Sequence, residues 1–435
     1  MIRPEDIQVA VLMGGLGTRL GTYTKQCPKP LVDVCGKPFF HYQLTLMAGQ
    51  GFRKFLFLLG YKADMIEDYF GDGSAYGVSV RYCYDGKELL GTGGAIRRAL
   101  PYLEDDFLLL YGDSFMDIDF SESLHRYEEG KRHGAKALMT VLYNHNQYDK
   151  SNVIMREGRL VLYDKEHPVS EMNAIDYGAC IYEKSVFETF EENVKFDVSK
   201  VQNVLTQKEE MVPHVVTRRF YEIGSPESLK EFTEYVRYRF YEPHPAVFLD
   251  RDGVVNEIVF NEDTEQLDSP LCVEEFRFLP KAVEALHILQ EKGYYIFIVT
   301  NQPAAAKGKT TLCRLYDVNT HMIRLLQEKG IFIEEVEMCP HTDKEPIRTK
   351  YRELAVKCSC RKPGTGLFEN IERKYKIDKE NSYMAGDSFT DIAAGRKFGV
   401  KTVFIGNYKC DVCAKLEYNK PDFIFGDLYS FTDSL

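Results

Sequence analysis

Apolar residues recur along the chain in short unbroken runs, each closed by a glycine or a charged residue. Val9 to Met13, Phe55 to Leu59 and Phe107 to Tyr111 lie in the first half, and Ala246 to Leu249, Tyr295 to Val299 and the run through Met384-Ala385 in the second. Runs this short, rich in β-branched and aromatic residues and bounded by turn formers, predict buried strands. Phe39 to Gln50, entered through Gly36-Lys37-Pro38, predicts a helix. Glu122 to Gly134 is rich in charge and predicts a solvated helix, whereas Leu229, Phe232, Val236 and Phe240 recur at helical spacing. That aromatic stripe predicts packing against its own domain or an interface.

One strand is unlike the rest. Ala246 to Leu249 runs straight into Asp250-Arg251-Asp252-Gly253. Residues i and i+2 of an extended chain point the same way, so both carboxylates address one place. Two acids held together repel each other, and such pairs usually hold a metal. Just upstream, Pro243 and Pro245 bracket His244, which predicts a linker over 242–246 acting as a short stiff spacer. The expected division is a first domain over 1–241 and a second over 247–435. A second site opening at the midpoint implies two enzymes in one polypeptide.

Composition narrows the classes. The chain has 435 residues, 44% hydrophobic and 28% charged, with a formal net charge of -11. That balance argues against non-specific nucleic-acid binding but not against phosphate ligands, which local groups hold. The longest apolar runs are far too short for a membrane span. MIRPEDIQVA has acids where a signal peptide has a basic region, so a cytoplasmic location is expected. The 11 cysteines are then expected to be thiols or metal ligands.

After the first strand comes Gly14-Gly15-Leu16-Gly17-Thr18-Arg19, a turn whose N–H groups can face an anion. Pro28-Lys29-Pro30 follows, so Arg19 and Lys29 place two cations beside the turn. The G-G-x-G-T-R and P-K-P pair resembles the sugar-1-phosphate nucleotidyltransferases, and further matches follow in family order. The resemblance implies a Rossmann-like α/β/α sandwich. It implies that Gly14, Gly15, Gly17, Thr18 and Arg19 grip a nucleoside triphosphate and that Lys29 stabilises charge near the α-phosphate. It places Gly91, Thr92 and Gly93, read as a second glycine loop, near base and sugar. Lys165 would meet the sugar phosphate, and Tyr177-Gly178-Ala179 would belong to the sugar-site strand. Asp113 would hold magnesium with Glu222, which stands where the family usually has Asp.

The second half resembles the haloacid dehalogenase (HAD) superfamily of phosphatases. Asp250-Arg251-Asp252-Gly253, Thr300-Asn301-Gln302, Arg361-Lys362-Pro363 and Gly386-Asp387 with Asp391 match its motifs in order. The implied fold is a HAD-like Rossmannoid domain. Asp250 would be the nucleophile and Asp252 the general acid and base. Thr300 and Lys362 would bind the transferring phosphoryl group, with Asn301 beside them at the substrate. Magnesium would sit among Asp250, Asp252 and Asp387, with Asp391 in support. Lys307-Gly308-Lys309-Thr310 imitates the end of a nucleotide-binding loop, but position 303, where its first glycine belongs, is proline.

Cys339-Pro340-His341 and Cys358-Ser359-Cys360 supply three thiolates and an imidazole, a donor set suited to structural zinc. Cys360 directly precedes Arg361-Lys362, so the metal would pin a catalytic loop. The arrangement resembles the heptose bisphosphate and histidinol phosphate phosphatases, in which Arg361 would help bind substrate phosphate. The motifs fit both. Only the heptose reading gives the two halves consecutive steps, with sugar phosphates and a nucleoside triphosphate, GTP by resemblance, as ligands. A regulatory module in place of the first half is the other alternative. Cys410 and Cys413 lie outside these motifs and are expected to be ordinary thiols.

Overall fold

The computed structural model describes residues 2–86, 89–144, 146–261, 265–344, 349, 351–406 and 420–435. Cys410 and Cys413 lie outside the described residues. The chain divides into two compact units, Met1–Arg237 and Tyr238–Leu435.

In the first unit the apolar runs form parallel strands in the order Asp106–Tyr111, Gln8–Leu12, Lys54–Leu59, Ser79–Tyr84. Their side chains alternate between two cores. Val9, Val11, Phe55, Phe57, Leu108 and Leu110 face one, and Ala10, Leu56, Leu58, Phe107 and Leu109 face the other. A strand apolar on both faces needs helices on both, which is why these runs lack the alternation of a half-exposed strand. Ala174–Glu183 joins antiparallel to Asp106–Tyr111 and extends the sheet to Ala137–Tyr143 and Met211–Val216. The carboxyl ends of the four parallel strands lead into Gly112-Asp113, the Gly14 turn, Gly60 and Asp85. Ligand crevices of open α/β sheets form at such ends.

Two expectations for this unit change. Gly91 to Ala95 is not a loop but the start of the helix Gly91–Ala99. A Cβ on Gly93 would overlap the Phe196 ring, and the Gly93 and Gly94 N–H groups donate to the Phe196 carbonyl at 3.0 and 3.3 Å. The glycines thus let a distant segment close onto the helix. The helix Phe120–Arg132 is not simply solvated either. Glu122 is largely enclosed against His214 Nε2 at 3.2 Å and Arg126 Nη2 at 2.7 Å, and His214 Nδ1 meets Ser123 Oγ at 2.9 Å. Burial alone would raise the Glu122 carboxyl, but His214 and Arg126 outweigh it and bring it down to about 2. The aromatic stripe packs inward as expected, with Phe232 against Phe39, Phe115 and Tyr221.

The second unit is a parallel sheet in the order Glu335–Cys339, Tyr295–Asn301, Ala246–Leu249, Tyr383–Gly386, Lys401–Ile405, Phe423–Phe425. It too alternates between cores, with Val247, Leu249, Ile296 and Ile298 on one face and Phe248, Phe297 and Val299 on the other. The segment read as a spacer is packed into this unit. Arg239 is buried, donates from Nε to the Lys374 carbonyl at 3.0 Å and lies 4.2 Å from the Tyr375 ring. The His244 ring packs at a tilt against Tyr238 and Tyr295, and the His244 backbone N–H donates to the Lys376 carbonyl at 3.1 Å. The prolines therefore shape a docked strand-like segment rather than a free tether. Among the described residues no helix is long and apolar enough to cross a membrane.

Candidate active sites

In the first unit the glycine turn is fixed by close approach. Gly17 has φ of 65°, and a Cβ there would lie 2.7 Å from Thr24 Cγ2 and 2.9 Å from Lys29 Cγ. Thr24 Oγ1 donates to the Gly17 carbonyl at 2.9 Å, and Thr18 opens a short helical turn that presents Arg19. A Cβ on Gly15 would meet nothing within 4 Å, so that side of the turn is open.

Asp113 and Glu222 are brought together by a small ladder. Tyr221–Glu222 pairs with Ser114–Phe115, and the Ile223 N–H donates to the Asp113 carbonyl at 3.0 Å. Each acid has its own cation: Lys29 Nζ lies 2.7 Å from Asp113 Oδ2, and Arg19 Nη2 lies 3.2 Å from Glu222 Oε1. Burial, then the charge of Asp113, raises the Glu222 carboxyl, while Lys29 and Arg19 pull it back. Two hard carboxylates that strain each other in this way suit a divalent cation.

Lys165 follows the strand Arg159–Tyr163, and its charge acts on Asp176 and Asp197. Burial raises the Asp176 carboxyl despite hydrogen bonds from Gly178 N–H and Gln202 Nε2 at 3.0 and 2.8 Å. Thr92 Oγ1 accepts from the Val198 N–H at 2.8 Å, which ties the glycine helix to this acidic corner.

In the second unit, Asp250 leaves its strand beside Lys362. Lys362 Nζ lies 2.9 Å from Asp250 Oδ1 and 2.6 Å from Asp391 Oδ1, and donates to the Val299 carbonyl at 2.6 Å. Asp250, Asp387 and Asp391 offer oxygens within 4.8 Å of one another. Burial pushes the Asp250 carboxyl up to about 7, with Lys362 pulling it down and the other acids pushing further. Burial and Asp391 raise Asp387 to about 6. The cluster thus carries more negative charge than one lysine offsets, the electrostatic setting of a divalent cation site.

The other set of expected ligands in this unit, Cys339, His341, Cys358 and Cys360, is made of sulfur and nitrogen. Cys360 Sγ lies 3.1 Å from Cys339 Sγ and 3.2 Å from Cys358 Sγ, with His341 Nδ1 3.2 Å from Cys360 Sγ. All four donors lie within 4.8 Å of one another, so one ion can be shared by the set. Arg361 Nη1 donates to the His341 carbonyl at 3.2 Å, so the arginine is fastened to the same loop.

Residues 8–237 match the Nucleotidyl transferase family, and residues 359–431 match the HAD-hydrolase-like family. The chain is 30% identical over 227 residues to a D-glycero-alpha-D-manno-heptose 1-phosphate guanylyltransferase of Campylobacter jejuni, covering 52% of this chain and 98% of that one. It is 35% identical over 161 residues to a D-glycero-alpha-D-manno-heptose-1,7-bisphosphate 7-phosphatase of Photorhabdus laumondii, covering 37% of this chain and 81% of the relative. A D-glycero-beta-D-manno-heptose-1,7-bisphosphate 7-phosphatase of Rhodopseudomonas palustris is 33% identical over 156 residues, 36% of this chain and 80% of its own. The chain belongs to the nucleotidyl transferases, joined to a HAD-type phosphatase.

The phosphatase half differs from expectation at two residues. The Asp252 side chain is not in the carboxylate cluster; Asp391 takes that place. Asp252 turns instead to Arg251 Nη2 at 3.0 Å, Asn256 Nδ2 at 3.0 Å, Ser269 Oγ at 2.8 Å and Gln302 Nε2. Burial would raise its carboxyl, but Arg251 and these donors hold it below the usual range. Asn301 spends its amide on the Lys362 backbone, accepting from N–H at 3.0 Å and donating to the carbonyl at 3.2 Å. It positions the lysine segment. Thr300 Oγ1 is buried and accepts from Gln302 Nε2 at 2.9 Å.

Sequence reasoning missed Ser269, Gln302 and Asn256 in the phosphatase half, and Asp176 and Asp197 in the transferase half. It also missed Lys307, a lysine whose charge is opposed by burial and by Lys309, Arg361 and Lys344. Gln302 had a local signal, since it stands two residues beyond Thr300 at the same strand end. The others are brought in by loops whose composition is ordinary.

Proposed function

We propose that the chain is a bifunctional enzyme of nucleotide-activated heptose formation. The phosphatase half removes the C7 phosphate of D-glycero-D-manno-heptose 1,7-bisphosphate. The transferase half joins the resulting heptose 1-phosphate to GMP from GTP and releases pyrophosphate. The observation that carries this reading is that each half aligns with most of the length of relatives named for those two reactions. Hydrolysis at C7 leaves the anomeric centre untouched. The transferase relative is named for the α-1-phosphate, so the α-anomer of the bisphosphate is the one both halves can use in turn.

Asp250 attacks the C7 phosphorus, and the bond from phosphorus to the sugar oxygen breaks. Asp252 protonates the departing oxygen, then takes a proton from water as that water attacks the aspartyl-phosphate and frees phosphate. Its hydrogen-bonded carboxylate starts ionised, and the incoming phosphate dianion raises its affinity for a proton. Lys362 orients Asp250 and offsets the acids around it. In the transferase half an oxygen of the sugar phosphate attacks the α-phosphorus and pyrophosphate leaves. Lys29, Arg19 and the glycine-turn N–H groups stabilise phosphate charge, and Lys165 orients the sugar phosphate. Magnesium at Asp250, Asp387 and Asp391, and at Asp113 and Glu222, would supply neutralisation of the phosphoryl oxygens.

The whole chain with magnesium, GTP and α-heptose 1,7-bisphosphate tests the reading. Phosphate and then pyrophosphate are expected in equal amounts, with GDP-heptose as product. Absence of pyrophosphate with heptose 1-phosphate and every nucleoside triphosphate would favour a regulatory first half and overturn the proposal.

Zinc suits the Cys₃His set. We expect about one equivalent of zinc per chain, lost in Cys360→Ser, with phosphatase turnover falling about 10- to 100-fold through the adjoining Arg361-Lys362 segment. Pyrophosphate release should be unaffected. A zinc-free protein with full phosphatase activity would contradict this.

A further inference from the structure

Asp252 must be aimed as well as present, and the groups that aim it lie behind it in the core. We propose that Arg251, braced by Asn319, is the positioning residue that holds Asp252 toward the departing sugar oxygen. This rests on the reading of Asp252 as general acid and adds a side chain with no exposed surface.

Arg251 is fully buried. Its guanidinium reaches the carboxylate of the next residue, Nη2 and Nε donating to Asp252 Oδ1 at 3.0 and 3.3 Å. Nη1 donates to Asn319 Oδ1 at 2.8 Å. Asn319 stands on the helix Leu312–Gln327, whose buried residues include Leu315, Val318 and Met322. Its amide nitrogen faces Met338 Sδ at 3.7 Å, which leaves the amide oxygen to the arginine. The Arg251 main chain is tied too. Its carbonyl accepts the Val255 and Asn256 N–H groups at 2.8 and 3.0 Å, and its N–H donates to Asp250 Oδ1 at 2.8 Å. One residue therefore holds the nucleophile by its backbone and the acid by its side chain.

The two oxygens of Asp252 are held differently. Oδ1 takes the closer arginine contacts and Asn256 Nδ2 at 3.0 Å, all from the turn that carries the acid. Oδ2 takes Ser269 Oγ at 2.8 Å and Gln302 Nε2, both from other segments, with Arg251 Nη2 at 3.3 Å. A serine hydroxyl accepts as readily as it donates. Oδ2 can thus carry a proton beside Ser269 while Oδ1 stays anchored.

Fold stability does not call for this arginine. Burying a guanidinium is costly, and apolar replacements of buried ion pairs are often neutral or stabilising. What the guanidinium supplies is a planar fork set between two fixed acceptors. A reacting group misplaced by about 1 Å costs on the order of 100-fold in rate.

The leaving group provides the test. The C7 alkoxide is strongly basic and needs its proton as the bond to phosphorus breaks, whereas 4-nitrophenolate leaves unaided. The whole chain, with magnesium and in excess over substrate, is mixed with heptose 1,7-bisphosphate or 4-nitrophenyl phosphate. First-turnover release of heptose 1-phosphate or 4-nitrophenolate is followed, because the later attack of water needs Asp252 with either substrate. In Arg251→Met, sugar release should slow about 100-fold and nitrophenolate release should stay within about threefold. Asn319→Ala, which removes the brace, should show the same split at about 10-fold. Pyrophosphate release should not change. Absence of the split in R251M, through equal losses or through none, overturns the proposal. If R251M does not fold, N319A decides by the same criterion. Asp252→Asn separates the two readings. A split in D252N without one in R251M overturns this proposal alone, and no split in D252N overturns the general-acid reading with it.

Discussion

Asp250→Asn is expected to abolish phosphate release, by about 10⁴-fold or more, while leaving pyrophosphate release intact. An amide oxygen is a poor nucleophile toward phosphorus, and no other carboxylate can replace it. Asp387 and Asp391 belong to the same cluster but arise from the next strand and its helix, and Asp391 is tied to Lys362 and Ser388. The substitution should not unfold the unit. The asparagine can still accept the Arg251 N–H that now reaches Asp250 Oδ1 at 2.8 Å. It also removes one negative charge from a site with more acids than cations. Phosphate release from the bisphosphate, measured beside thermal unfolding, checks both halves of the expectation. Turnover within tenfold of the unsubstituted enzyme would remove Asp250 from the nucleophile's role.

Asp113→Asn should do the reverse, costing the transferase about 4 kcal/mol in the transition state, on the order of 10³-fold, with normal phosphatase turnover. Asp113 is the most enclosed of the two acids at this site, with 26% of its side chain exposed against 38% for Glu222. It is also the partner of Lys29, so its loss frees a cation and removes a hard oxygen ligand together. Pyrophosphate release titrated with magnesium separates the two effects. Recovery at high magnesium identifies a lost ligand, and a loss that ignores magnesium identifies the ion pair. Unchanged release at every magnesium concentration would sink the assignment of Asp113 to the site.

Both acids could be read from the sequence because they stand where an apolar run stops. A buried strand that ends in a charge places that charge at the sheet's carboxyl edge, so local pattern and tertiary position coincide. The glycine turn was legible for the same reason, and Gly17 proved to be sterically required. What was not legible depends on partners far along the chain. Asp252 is held by Gln302, 50 residues away, and by Ser269, 17 away. Glu122 looked solvated because its own helix is polar, and it is His214, on the distant strand Met211–Val216, that shows why it is enclosed. The Gly91 helix misled because three glycines in four residues favour a loop by propensity. The packing of Phe196 against them overrides that preference.

The docked segment from Tyr238 to Pro245 has a consequence for how such chains are assembled. The Nucleotidyl transferase match ends at residue 237, the residue at which the first compact unit also ends. Everything after it, including buried Arg239 and the packed His244 ring, sides with the phosphatase. The seam is therefore one-sided. The transferase arrives as a finished module, and the phosphatase carries a collar of its own in front of its first strand. Exchange of catalytic halves between chains of this kind has its natural cut before Tyr238, eight residues ahead of the strand that leads into Asp250.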